Sequence, residues 1–437
     1  MKSRSKKHDC YDKEGNYKDR LSELPDEILV NILSFLPIRC AVRTVLLRRF
    51  GKLWTLLRTL KFSYSEEERF ISYVMKYHKS PTIDKLEFFW IYEHPKEELM
   101  KWIILGLRKK TRVLSIQGNP VSTNIFLPPR VFRSQCLVSL ALTGSLIKLP
   151  RRVFMGSLKK LDIAHVSVSD EDFKVLVSGC PCLRELIVLF PHGLQQLHFT
   201  SPSIEKLELD LLIDLGTALD RHYSLDCPNL KILHIDEVYI DNLRVIDVSS
   251  VRQAIITYCH TSEDEPDQDH FEILLDKFRN AHVFRLGPNK AYMQLEHCGN
   301  GKLAVARNEW THLALRSRVR GSCLLGICRL LRNSEYLNEL IIYANVDFFC
   351  DCNMLLSELS SPCVMRQLRI VTIRDYVKPC QALLQLIEFL LKSALVLDKM
   401  VIVCNRKDKL LSMEGHEFIL QLLSFPRVSR SAKVVFA

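Results

Sequence analysis

The sequence predicts an α/β fold: an N-terminal helical module, then an irregular solenoid of short parallel strands, closed by a mixed α/β C-terminal cap. Three observations carry this. Residues 21–37 place their apolar side chains three and four apart, the period of a helix. A pattern Leu-x-x-Leu-x-Leu recurs through the middle of the 437-residue chain, as in stacked repeats. From about residue 362, β-rich and helical segments alternate.

In Leu21-Ser-Glu-Leu-Pro-Asp-Glu-Ile-Leu-Val-Asn-Ile-Leu-Ser-Phe-Leu-Pro37, Leu24, Ile28, Ile32 and Phe35 form a stripe with Leu29, Leu33 and Leu36 beside it. Pro25 is read as the first helical residue and Pro37 as the stop. A second apolar stretch, Ala41-Val-Arg-Thr-Val-Leu46, and then Leu53-Trp54 follow at once. A unit this short cannot bury all that surface alone, so it reads as a docking module.

The order of residues from Asp19-Arg-Leu-Ser-Glu-Leu-Pro-Asp-Glu-Ile-Leu to Leu53-Trp54-Thr55 resembles an F-box of the kind found in plant F-box/leucine-rich-repeat proteins. The likeness covers residues 19–60, after a basic tail (1–18) expected to be disordered. It implies a Skp-type adaptor as partner and, through it, a cullin. It also implies that Leu24, Pro25, Ile28, Ile32, Leu36, Pro37, Val42, Val45 and Trp54 pack the helices or face the adaptor. The chain departs from the family at Arg48-Arg49-Phe50-Gly51, where a Ser-Lys-Arg-Trp run is usual, and at Cys40, where an acidic residue is common. Gly51 is expected to weaken a helix by about 1 kcal/mol relative to Ala.

The repeats are placed over residues 80–350. Their motif starts at Leu137, Leu158, Leu183, Leu194, Ile204, Leu230 and Leu243, with earlier copies at Ile83 and Leu114 and later ones at Trp310, Leu337, Met365 and Leu397. Intervals of 21 (137 to 158) and 25 (158 to 183) suit leucine-rich repeats. Alternate side chains of each strand should point inward and merge into one core when the strands stack. Ser169-Asp-Glu-Asp-Phe-Lys-Val-Leu-Val-Ser178 has a cap, early acids and an apolar face, so it reads as a helix ending at Gly179. The interval from Leu194 to Ile204 is too short for a helix. Residues 259–308 are read as an irregular insertion holding the acidic stretch Glu263–Asp269, a helix over Phe271–Phe278 and a turn at Gly299–Gly301. The acidic stretch lacks the alternating ligands and glycine of a calcium loop.

Over residues 362–437 the order is strand (Leu368–Ile373), helix (Gln381–Ser393), strand (Leu397–Val403), helix (Gly415–Leu423) and strand (Lys433–Phe436). Phe389-Leu-Leu-Lys-Ser-Ala-Leu-Val-Leu-Asp-Lys-Met400 and the ending Leu423-Ser-Phe-Pro-Arg-Val-Ser-Arg-Ser-Ala-Lys-Val-Val-Phe436 resemble the FBD domain that follows repeats in many plant F-box proteins.

Net charge is +11, of which residues 1–61 hold +7: fourteen Lys/Arg against seven Asp/Glu. The excess lies in the tail and the docking helices and not on a basic face interleaved with aromatics, so no nucleic acid is expected as partner. Lys2-Ser-Arg-Ser-Lys-Lys7 reads as a solvated tail or a weak nuclear signal. No apolar run reaches membrane length and no secretory signal is expected. Fifteen scattered cysteines, including Cys180-Pro-Cys182 and Cys350-Asp-Cys352, point to a reducing compartment, nuclear or cytoplasmic, and to neither disulfides nor zinc. Phosphate-loop, zinc-protease and nucleophile-elbow motifs are absent, so no cofactor, metal or catalytic residue is expected. His198 and His234 fall at outward positions of repeat strands. Lys160, Asp162, Arg184, Glu185, Lys206 and Glu208 give the repeat face mixed signs, and no convergent basic cluster for an acidic ligand is visible.

The expectation is therefore a non-catalytic, substrate-recognition subunit of an SCF-type ubiquitin ligase, its repeats holding an unidentified target protein. The alternatives are a ligase-independent scaffold, suggested by Phe50-Gly51, and a ligand-dependent receptor.

Overall fold

The computed structural model describes residues 21–63, 65–89, 96–118, 125–210, 222–239, 243–259, 268–288, 307–318, 321–345, 363–376, 381–404 and 413–437. The basic tail, the acidic residues 263–267, the Gly299–Gly301 turn and the Cys350/Cys352 pair lie outside them. The chain divides into two compact units, one of residues 1–168 and 175–182, the other of 169–174 and 183–437.

In the first unit, helix α1 (Asp26–Ser34) is followed by α2 (Ile38–Arg43) and by 3-10 turns at Thr44–Leu46 and Leu53–Leu56. Pro25 and Pro37 both have extended backbone, with ψ of 151° and 140°. Each thus stands one residue before its helix, its carbonyl accepting the first helical N–H groups at 2.8–3.1 Å. Pro25 is accordingly the cap and not the first helical residue. Gly51 sits in a turn between the 3-10 segments, so the helical penalty expected for it does not arise.

The first repeat strand follows without a spacer. Leu57, Leu60 and Phe62 are buried and carry β1 (Thr59–Phe62), which pairs in parallel with β2 (Lys85–Phe89). Next come β3 (Val113–Gln117), the short β4 (Ile125–Phe126), β5 (Ser139–Thr143), the short β6 (Ser145–Leu146) and β7 (Lys160–Ala164). β2, β3, β5 and β7 continue the parallel sheet, while β4 and β6 pair separately. The repeat array therefore starts at Leu57 and not near residue 80. Helices α3 (Glu68–Tyr77) and α4 (Lys96–Arg108) return the chain between strands. Phe62, Phe88 and Trp102 stack at 5.5 and 6.1 Å between centroids.

Helix α5 (Asp170–Ser178) begins in the second unit and ends in the first. Ser169 Oγ accepts from Asp172 N at 3.1 Å, as a cap should. Gly179 ends it: a Cβ there would lie 2.5 Å from Val153 Cγ1 and 2.9 Å from Val153 O.

The second unit holds two sheets. One is parallel and joins ten strands: β8 (Glu185–Leu189), β10 (Lys206–Asp210), β12 (Ile232–Tyr239), β14 (Gln253–Cys259), β15 (Val283–Pro288), β16 (His312–Arg318), β17 (Glu339–Asn345), β18 (Ile370–Tyr376), β19 (Lys399–Cys404) and β20 (Lys433–Phe436). From β10 to β19 the residue before each strand donates its N–H to the matching carbonyl of the preceding rung at 2.8–2.9 Å. The other sheet is β9 (Gln196–Thr200), β11 (His222–Asp226) and β13 (Leu243–Asp247), also parallel. The Leu194 and Leu243 copies of the motif belong to this second sheet, so they are not rungs of the first. In β13 it is Leu243 and Val245 that turn inward, leaving Ile246 exposed.

Two more frames differ from expectation. The motif recurs within 259–308: Ala281, Phe284 and Leu286 are buried, the last two in β15, which follows helix α6 (Gln268–Lys277) and pairs with β16. Near the C-terminus the repeat frame is Leu368-Val371-Ile373, matching Leu337-Leu340-Ile342 through Leu340↔Val371 and Ile342↔Ile373. Ile370, given an inward place by the frame starting at Met365, is exposed. Helices α7 (Gly321–Arg332), α8 (Gln381–Ser393) and α9 (Met413–Ser424) separate β16 to β20. The alternation expected after residue 362 is present, and its strands extend the same sheet.

Candidate docking surfaces

Helix α1 is apolar on both sides, and only one side can turn inward. Leu29 and Leu33, four residues apart, are buried, and the helix packs mainly against the 3-10 turn at Leu53–Leu56. Ile28, Phe35 and Leu36 are left outside, as are Leu21, Val45, Leu46, Leu47 and Leu56. Phe35 is 80% exposed and Leu46 87%. Among the described residues, eight of the 23 exposed large apolar side chains fall between Leu21 and Leu56. Isolated exposed leucines are ordinary; a concentration of this kind marks a surface meant to be covered.

Arg49 holds the start of this segment. Its guanidinium donates to the carbonyls of Ser22 and Leu24 at 3.2 Å each and pairs with Asp26 at 2.5 Å. Arg39 donates to Ser65 O at 3.2 Å and lies 5.3 Å over the Phe70 ring. Residues 37–57 carry Arg39, Arg43, Arg48, Arg49 and Lys52 and no carboxylate side chain. Across residues 21–57 these five cations face Glu23, Asp26 and Glu27, a net +2, and one of the five, Arg49, is paired with Asp26.

Of the residues expected to pack the helices or meet an adaptor, Pro25, Ile28, Leu36, Pro37 and Val45 are exposed, and Leu24, Ile32 and Val42 are half-buried. Trp54 is not on the surface. It is 2% exposed and stacks on Tyr73 with ring centroids 5.9 Å apart, so it supports the turn beneath α1. Phe50 is buried as well. Leu21, Phe35, Leu46, Leu47 and Leu56 are the exposed residues that the expectation left out. Choosing between the two sides of α1 requires knowing what Leu29 and Leu33 rest on, and no local pattern carries that.

On the repeat strands of the second unit the outward positions alternate with buried ones, as in β10 and β11. Glu208, Asp210, His234 and Asp236 stand together on β10 and β12. His234 Nε2 is 3.0 Å from Asp236 Oδ2, and Thr257 Oγ1 donates to Asp236 Oδ1 at 2.6 Å. The Asp236 hydrogen bond holds the His234 pKa above its usual value, and the imidazole in turn lowers that of Asp236. Arg285 and Arg374 are exposed on β15 and β18. Before the strands, Glu205 bridges Arg184 at 3.5 Å and Lys231 at 2.8 Å. His198 is not on this face; it lies on β9 of the second sheet.

Cys180 and Cys227 are buried thiols whose pKa values burial pushes up to about 12 and about 11. The Cys180 thiol donates to Leu176 O at 3.1 Å.

The family described as "FBD-associated F-box protein At5g56370, LRR repeats" matches residues 99–254. Among individual proteins of Arabidopsis thaliana, the chain is 31% identical over 235 residues to the F-box/LRR-repeat protein At3g26922, a span of 51% of this chain and 76% of that one. It is 28% identical over 382 residues to the putative F-box/LRR-repeat protein At4g15060, covering 76% and 82% of the two chains. To the putative FBD-associated F-box protein At5g56400 it is 26% identical over 397 residues, 86% and 84% of the two. None of these descriptions names an enzyme.

Proposed function

This chain belongs to the plant F-box/FBD/leucine-rich-repeat family, and on that premise we propose that it is the substrate-recognition subunit of an SCF-type ubiquitin ligase. The helices of residues 21–56 dock on a Skp-type adaptor, and through it a cullin, while the repeat strands hold a target protein. Residence in the nucleus or cytoplasm accompanies that role. The observation that carries the reading is the set of exposed apolar side chains between Leu21 and Leu56. The chemistry is supplied elsewhere in such a complex, and this chain contributes proximity.

Phe35 and Leu46 are the test. Both are almost fully exposed, so a Phe35→Ser/Leu46→Ser double substitution should leave the unfolding midpoint in place. It should weaken capture of a purified Skp-type adaptor at least about tenfold, as loss of central interface side chains does. A wild-type chain that captures no adaptor would remove the proposal. The scaffold alternative rested on Phe50-Gly51. Because Phe50 is buried and Gly51 lies in a turn, that pair deletes nothing from the exposed surface.

A further inference from the structure

The second sheet of the second unit packs against helix α6 through β13. A cavity of about 820 Å³ opens there, within the 300–1,000 Å³ that small-molecule sites occupy. Register places His198, Ser224 and Arg244 side by side across β9, β11 and β13, so neighbouring side chains stand about 5 Å apart. His222 lies two residues earlier on β11, and α6 brings Lys277 from the far side. Leu243, Val245, Ile246, Ile273 and Leu274 supply an apolar wall.

The charge of this lining is one-sided. Among the described residues it holds a guanidinium, an ammonium and two imidazoles, and no carboxylate. The His198 imidazole is aligned by a 2.6 Å hydrogen bond between Nδ1 and Ser224 Oγ, which leaves Nε2 for another partner. Lys277 gives one of its three donors to Ile246 O at 3.0 Å. Asp247, whose carboxylate feels the Lys277 charge, is engaged by Ser249 N at 3.0 Å. Among the described residues the Arg244 guanidinium forms no hydrogen bond or ion pair. A planar fork of donors with no protein acceptor, in a concave site, matches a carboxylate or phosphate.

We infer that this cavity binds a small organic anion, with its acid group between Arg244, Lys277 and the two histidines and an apolar body against Ile246, Ile273 and Leu274. None of its lining residues belongs to the docking segment, residues 21–56. It was not legible in the sequence because its four basic residues lie as far apart as 198 and 277.

Titration calorimetry on the full chain with 2-naphthyl phosphate, 2-naphthoate and the neutral 2-naphthol tests this. Either acid should bind saturably, and the tighter of the two assigns the head group. The alcohol should bind at least about tenfold more weakly, since a hydrogen-bonded charge contributes roughly that much. Arg244→Gln should weaken the acid about tenfold or more, and Arg244→Lys should weaken it less. If Arg244→Gln shifts the circular-dichroism melt, Lys277→Gln takes its place as the test. No saturable binding of either acid would overturn the inference. So would acid and alcohol binding alike, or both substitutions leaving the affinity unchanged.

Discussion

His78 is buried beside the turn that ends in Leu57. Its Nε2 donates to Leu57 O at 2.6 Å, and Nδ1, also buried, has no partner among the described residues. Burial holds its pKa below the usual 6.5, and the Lys109 charge adds to that. Protonation therefore favours the unfolded chain. The stability His78 contributes is present above about pH 6.5 and falls away as pH drops toward its folded value. His234 has the opposite sign: with its pKa raised by Asp236, its contribution is full below about pH 6.5 and is lost as pH rises. Urea melts at pH 5.5 and 8 should show the acid-side loss shrinking in His78→Gln; a wild-type slope in that variant would refute the assignment. At Gly179 the obstacle is backbone, because Val153 O would sit 2.9 Å from a new Cβ. Gly179→Ala should cost about 1–3 kcal/mol, the usual penalty for overpacking, read as a lower urea midpoint at constant slope.

Among elements, the carboxylate of Asp170 has a structural task beyond helix α5. Its oxygens accept the N–H groups of Gln195 and Gln196 at 2.9–3.1 Å, so the first residue of a helix caps the start of strand β9. Asp170→Ala leaves those donors unmatched and should cost about 1–3 kcal/mol. Hydrogen exchange at Gln195 and Gln196 should quicken ahead of the rest of the sheet. The elements themselves were largely readable. Helices α5, α6 and α8 and strand β20 lie where caps, periodicity and turn residues place them. Frames were harder, because the motif is short and its first position tolerates Thr111, Val251 or Ala281 as readily as Leu. Strand β15 was hidden by that tolerance. Two sheets sharing one alternation explain why Leu194 and Leu243 resembled rungs. The docking segment was legible as a segment, while the outward set within it was not: Trp54 and Phe35 differ only in what covers them.

At the scale of the whole molecule, each strand pairs with the rung before and the rung after it, even where β8 to β14 alternate between the two sheets, so stability is passed between adjacent rungs. β20 has one neighbour, β19, and its Val434, Val435 and Phe436 are only half-buried. Deuterium uptake should be fastest at β20 and slowest at inner strands such as β16 and β17; equal protection across the sheet would contradict a rung-by-rung account. Lys433 at that margin is a charge of the type that discourages edge-to-edge association.

One junction has mechanical meaning. Trp54 anchors the last turn of the docking segment and Leu57 is already the first inward residue of the sheet, with no swivel between them. Whatever grips Phe35 and Leu46 is thereby bolted at a fixed angle to the strands that begin at Thr59, as a bracket holds a shelf. Orientation along this first stretch is set by side-chain packing rather than sampled by a tether.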